Sequence, residues 1–286
     1  MELILRLVGF ASRVSSRLGA AIAWYLWFHP HGRPNTRLPE DADEFSLSVA
    51  GHDISGFVQG SGEPVLLLHG WGGASTDMAP LAATVAKAGY RAVVPDLPGH
   101  GSNRGSYSDV FRMAAAVDGV TSRFGLPRAV IAHSFGAVVT FASFPHGGPE
   151  RVVLIAPAIL GQRFVDVFAA QVNLSDKARR RFEEKFTRFA GPHLMEVMAG
   201  RGDVPGADML ILHDPEDDRT PFVDAARYAA NRAATKIIEI PDTGHKGILR
   251  DRQTRDEVVG FIGWDSRCCG CRGADIRGLS RSRRVS

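Results

Sequence analysis

The sequence predicts an α/β architecture: a mostly parallel, twisted sheet of about eight strands, helices on both faces, and a small helical cap. Three observations carry this. Residues 65–69, 92–95, 129–133, 152–156, 209–213 and 236–240 are short, largely apolar runs rich in branched side chains. Helix-length stretches at 77–88, 109–124, 135–143 and 222–230 lie between most of them. A parallel sheet covered on both faces buries both sides of each strand, which is why these runs do not alternate. One connection, 157–207, is far longer than the usual handful of residues plus a helix, and is expected to form the cap.

The sheet is expected to open with a hairpin, because residues 45–50 and 54–59 alternate apolar and polar, with the turn near Gly51-His52-Asp53. Before it, Leu3, Leu7, Phe10, Val14, Leu18, Ala21, Tyr25 and Phe28 recur every three or four residues and predict one amphipathic helix. Arg6, Arg13 and Arg17 leave 18–28 as the uncharged run, too short to span a bilayer and poorly suited to a secretory signal. Two readings stay open for this helix. It packs on the body, or its basic and aromatic mixture, with Trp24, Tyr25, Trp27 and Phe28, rests at a membrane interface. Pro30 and Pro34 then stop it. The predicted organisation is therefore an N-terminal helix and linker over 1–44, a main domain over 45–264 with the cap at about 157–207, and a tail over 265–286.

With 44% hydrophobic and 23% charged residues, the chain reads as globular, with a sizeable core. The tail holds six arginines and two aspartates of a chain whose net charge is only +3, so the body is close to neutral. That excludes a nucleic-acid partner for the folded body. All three cysteines, Cys268, Cys269 and Cys271, lie in the tail, which is expected to be disordered. No disulfide framework is possible in the body, and three sulfurs without a nearby histidine fall short of the usual set of zinc ligands. Exposed thiols are expected there, with lipidation as the sharper alternative. The expected location is the cytoplasm, with a peripheral position at a membrane through residues 1–28 as the alternative.

The chemistry is concentrated at Ser134. The run Val130-Ile131-Ala132-His133-Ser134-Phe135-Gly136 is a strand that ends in a serine between small residues, the setting of a tight strand-to-helix turn. A serine hydroxyl needs a base, and the base needs an orienting carboxylate. His245 follows the last predicted strand in Asp242-Thr243-Gly244-His245 and can serve as base. The acid loop after the 209–213 strand, Asp214-Pro215-Glu216-Asp217-Asp218, offers several carboxylates, of which Asp214 can equally cap its turn. Ser134, the acid loop and His245 each lie just beyond the carboxyl end of a different strand, the edge where open parallel sheets bind ligands. An oxyanion needs backbone N–H donors. Phe135 N–H and Trp71 N–H, the latter in His69-Gly70-Trp71-Gly72-Gly73, are the candidates, and losing one such donor typically costs ~3 kcal/mol. Neither Gly-x-Gly-x-x-Gly nor the Walker spacing occurs in that glycine-rich loop, which argues against phosphate binding.

These segments, with Asp96-Leu97-Pro98-Gly99-His100-Gly101-Ser102, resemble the α/β-hydrolase superfamily over about residues 45–264. The resemblance implies the α/β-hydrolase fold, a cap over 157–207, and a catalytic acid four residues before a proline. That position is Asp217, with Pro221 following, and Asp214 is the fallback acid. Two departures stand out: Ala132 replaces the commoner glycine of the elbow, and Asp214 stands where many relatives have glycine. A serine nucleophile argues against the dehalogenase and epoxide hydrolase branches, which use aspartate there.

The resulting expectation is a serine hydrolase of the carboxylic ester or lipase-like class, acting through an acyl-enzyme on Ser134 with Asp217 and His245. It needs no cofactor and no metal, and its partner is a partly apolar small-molecule acyl substrate. The alternatives are a non-catalytic ligand-binding protein of the same fold, and cofactor-free lyase or perhydrolase chemistry at the same site.

Overall fold

A computed structural model describes residues 2–30, 37–103, 107–159 and 163–263. Its strands are β1 (Asp43–Val49), β2 (His52–Gln59), β3 (Pro64–Leu68), β4 (Arg91–Pro95), β5 (Ala129–His133), β6 (Arg151–Ile155), β7 (Asp208–His213) and β8 (Thr235–Glu239). They form one eight-stranded sheet in the order β1-β2-β4-β3-β5-β6-β7-β8. Pairing is antiparallel at β1–β2 and β2–β4, and parallel from β4 to β8. The unbroken apolar runs have the expected cause. In β5, Val130 and Ala132 join one core while Ala129 and Ile131 join the other, and β3 and β6 divide their residues in the same way.

Helices cover both faces. On one side lie α4 (Val110–Phe124), α5 (Gly136–Ser143) and α8 (Phe222–Ala230), packing Val117, Val139 and Ala225 into the sheet. On the other lie α3 (Ala79–Lys87) and α10 (Arg252–Gly263), through Leu81, Val85, Val258 and Ile262. The β1–β2 turn falls slightly earlier than expected. Val49 pairs with His52, and Ala50 and Gly51 take φ of 48° and 78°, the positive values that a two-residue hairpin turn requires.

The N-terminal segment is two helices where the sequence predicted one: α1 (Glu2–Val14) and α2 (Ser16–Phe28). Ser15 breaks them. Its backbone is extended at φ −144°, and its hydroxyl accepts the Leu18 N–H at 3.3 Å as a helix N-cap. The helices then meet so closely that a Cβ on Gly19 would lie 2.4 Å from Ser12 Cβ. A break of one residue leaves the three-to-four spacing intact, so periodicity alone cannot locate it; the Ser15-Ser16 pair is the local signal. Among the described residues no helix is long and apolar enough to cross a membrane.

The long connection folds into α6 (Arg163–Gln171) and α7 (Asp176–Glu196), followed by a short π-helical turn, Val197–Arg201. Gly191, at φ 65°, and Pro192 kink α7 near its end. The N-terminal helices dock on this insert. Ser175 donates two hydrogen bonds to Ser12, from its amide to the hydroxyl at 2.9 Å and from its hydroxyl to the carbonyl at 2.7 Å, and Arg13 donates to Asn173 at 3.1 Å. Trp24 and Trp27 make ring contacts with Phe168, Phe182, Phe186 and Phe189. Those phenylalanines therefore bind the insert to α2. Expectations about the tail and its cysteines concern residues 264–286, outside the described residues.

Candidate active site

Strand β5 is buried along its whole length between β3 and β6 and ends at His133. The next residue, Ser134, must turn the chain into α5 and does so at φ 54°. A non-glycine residue in this region is strained by about 1–3 kcal/mol, so its surroundings have to hold it there. Ser134 N–H donates to Ile155 O at 3.0 Å, and Ser134 O accepts from the Ala137 and Ala158 amides at 3.1 and 3.0 Å. Small residues matter unequally around this elbow. A Cβ on Gly136 would sit 2.7 Å from Leu68 O, and one on Gly70 would sit 2.9 Å from Ser134 Cβ. Ala132 carries its methyl fully buried between Leu68 and Leu154, its neighbours in register, so the elbow closes without glycine there.

His245 lies in α9 (Gly244–Gly247), the short helix after β8, and reaches back across the sheet edge. Its Nε2 is 3.0 Å from Ser134 Oγ, and its Nδ1 is 2.7 Å from Asp217 Oδ2. Asp217 comes from the loop after β7, and its side chain is fully buried. Burial alone would raise its carboxyl pKa. Hydrogen bonds from His245, from the Thr220 and Arg219 amides and from the Thr220 hydroxyl outweigh burial and hold it well below the usual carboxylate range. An ionised Asp217 can only accept, so Nδ1 carries the imidazole proton and Nε2 presents a lone pair to Ser134.

Asp214, the fallback acid, is placed elsewhere. Its carboxylate accepts from the Glu216 amide at 2.9 Å, Thr243 amide at 2.8 Å and Gly244 amide at 2.5 Å. It ties the acid loop to the loop that carries His245. Burial raises its pKa, and these amide donors bring the net value below the ordinary one.

The loop 69–73 lies against the elbow from the other side. Gly72 takes φ 73° and Gly73 N–H closes a turn onto Gly70 O at 3.0 Å. The Trp71 ring meets the Phe135 ring edge-on with centroids 5.4 Å apart, so both predicted oxyanion donors belong to segments in contact beside Ser134. Buried His69 fixes this loop, donating from Nδ1 to Gly70 O at 2.8 Å and accepting the Leu97 amide at Nε2, 3.0 Å away. Asp96 binds the Ser75 and Ser102 amides at 2.6 and 2.9 Å and so stitches the loop after β4 to the start of the helical segment after β3.

His69, Asp96 and His133 stand in the segments that carry the family resemblance, but their individual roles, like that of Thr220, are not readable from sequence alone. His133 is the most informative, because its Nε2–H donates to His245 O at 2.8 Å. Burial, and then the nearby His245, depress its pKa to about 3, so it is a neutral donor. Among the described residues no group of three or more His, Cys, Asp or Glu side chains is arranged to hold a metal ion.

Residues 65–260 match the model of the alpha/beta hydrolase family. No curated protein matches the sequence. Solved structures share the fold at low identity. A lipase described as putative from Acinetobacter baumannii superposes with a TM-score of 0.59 at 17% identity, covering 78% of this chain and 91% of its own. An esterase from Exiguobacterium antarcticum gives 0.55 at 18% identity, with 77% and 99% covered. An epoxide hydrolase from Vigna radiata gives 0.55 at 14% identity, with 79% and 98% covered.

Proposed function

The chain belongs to the alpha/beta hydrolase family, and from that premise we propose that it is a serine hydrolase cleaving carboxylic esters through an acyl-enzyme on Ser134. One observation carries the reading: the unbroken relay from Ser134 Oγ to His245 Nε2 at 3.0 Å and from His245 Nδ1 to Asp217 at 2.7 Å.

The chemistry follows from those contacts. As Ser134 Oγ attacks the ester carbonyl, its proton passes to His245 Nε2, and the imidazolium formed is stabilised by the ionised Asp217. The carbonyl oxygen becomes an oxyanion, for which the amides of Trp71 and Phe135 are the proposed donors. Collapse breaks the bond to the alkoxide, which takes the proton from His245 and leaves as the alcohol. Water then loses a proton to His245, attacks the acyl-enzyme, and releases the acid with Ser134 reprotonated. An epoxide hydrolase of the aspartate type would need a carboxylate at the elbow, and this chain has Ser134 there. Its likeness to such an enzyme is one of fold.

The proposed substrate is a partly apolar acyl ester, and residues 157–207 are the proposed cap over the site. The experiment is a hydrolysis series on p-nitrophenyl esters from acetyl to palmitoyl. The expected result is turnover that rises to an optimum at an intermediate or long chain and is lost in His245→Ala. Negligible rates at every length would refute the ester assignment.

A further inference from the structure

Nine large apolar side chains are strongly exposed among the described residues, and five of them fall in the two N-terminal helices. Leu7, Phe10 and Val14, at 58%, 68% and 71% exposure, form one row on α1; Leu18 and Tyr25, at 52% and 58%, form another on α2. The rows meet at the Ser15 break. The opposite faces are already occupied, α1 by the Asn173–Ser175 turn and α2 by the aromatic cluster of the insert. Trp24, Trp27 and Phe28 therefore serve packing, whereas in the outward rows Tyr25 stacks only on His29 at the end of its own helix.

Charge within the sequence of these rows is one-sided. From residue 3 to residue 39 the sequence has no Asp or Glu and has five arginines. Arg17 is exposed beside the rows, while the exposed Arg13 is turned to Asn173 of the insert. Cations of α7 border α2 as well: Arg181 donates to Ser16 Oγ at 3.1 Å, and the Lys185 ammonium lies 4.0 Å from the Trp24 ring centre. Exposed apolar side chains bordered by Arg17, Arg181 and Lys185 match a helix pair lying in the interface of an anionic bilayer. A second copy of the chain would set the same arginines against one another, so charge disfavours self-association through this face.

We propose that α1 and α2 dock the protein on anionic membrane surfaces, with Leu7, Phe10, Val14, Leu18 and Tyr25 entering the headgroup layer and Arg17 meeting lipid phosphates. This inference does not rest on the serine-hydrolase reading. It gives the cap insert, on which both helices sit, the side of the molecule turned toward lipid.

The test is flotation of the full chain with vesicles of phosphatidylglycerol and phosphatidylcholine, against vesicles of phosphatidylcholine alone. Binding to the anionic vesicles, weakened by salt, is expected. Arg17→Gln should weaken it about fivefold, the effect of one basic residue near such a surface. Phe10→Gln with Leu18→Gln should weaken it by at least tenfold. Arg17→Gln leaves the apolar rows intact and is read on its own should the double variant misfold. Wild-type protein that fails to float overturns the proposal. So does wild-type-level binding by both variants, which would assign adhesion to the arginine-rich residues 265–286. A dimer in sedimentation that the double variant dissolves would also overturn it and assign the face to a second copy.

Discussion

His133 Nε2–H donates to the backbone carbonyl of His245 at 2.8 Å, so the residue next to Ser134 holds the segment that carries the proposed base. This bond spans the sheet edge between β5 and α9 and fixes the distance the relay depends on. Replacing His133 with phenylalanine keeps a ring but strands a buried carbonyl, at about 1–3 kcal/mol. Because a misplacement of about 1 Å can cost ~100-fold in rate, kcat should fall tenfold to a hundredfold with KM little changed. Steady-state kinetics on a soluble ester checks this, and His133→Gln, which restores a donor, should recover part of the loss.

The two aspartates of the acid loop should separate cleanly. Asp217→Asn leaves the shape of the loop but removes the charge that orients His245, and should lower kcat by roughly 10³–10⁴-fold, a far larger loss of rate than Asp214→Asn should cause. Asp214→Asn loosens two amide contacts between the loops and one within its own, and should instead cost about 1–3 kcal/mol of stability. Thermal denaturation beside kinetics distinguishes them; an activity loss confined to Asp214→Asn would reverse the assignment of the acid.

The elbow makes an asymmetric prediction about size. Gly136→Ala places a methyl 2.7 Å from Leu68 O, a backbone atom that cannot move aside, and should destabilise the protein by about 1–3 kcal/mol. Ala132→Gly restores the commoner residue of the motif yet removes a fully buried methyl from a central strand, costing about 0.5–1 kcal/mol. Urea denaturation of the two variants measures the difference.

Acid stability should be lost in two windows. Burial holds His133 and His100 neutral, with pKa values of about 3, and depresses His69 and His213 as well. Their unfolded forms take up protons near pH 6.5, so the unfolded state binds more protons, and stability falls as pH drops from about 6.5 toward 3. Each contributes up to about 1.4 kcal/mol per pH unit. The depressed carboxyl of Asp217 gives stability that is present above its unfolded value near 4 and is lost only below it. Urea midpoints across the pH range should fall first in the histidine window, with a shallower slope in His133→Gln.

The sequence made the sheet legible because strands buried on both faces leave unbroken apolar runs; the boundaries of β5 fall at 129 and 133, as its run predicts. Ser134 and His245 were legible for a local reason, since each follows a strand end in a short loop. Choosing Asp217 over Asp214 needed the family spacing to Pro221, because both carboxylates accept backbone amides and local chemistry does not rank them. The break at Ser15 was hidden by a periodicity that continues across it. His133 and Asp96 were hidden because their partners, His245 O and the Ser75 and Ser102 amides, are backbone atoms brought close only by the fold.

The central claim is that Ser134 is a nucleophile activated by His245. Treatment with a fluorophosphonate, followed by intact-mass and peptide mass spectrometry, tests it most directly. The account predicts one adduct per chain, located on Ser134, absent in Ser134→Ala and strongly slowed in His245→Ala. Equal labelling of wild-type protein and Ser134→Ala would contradict it.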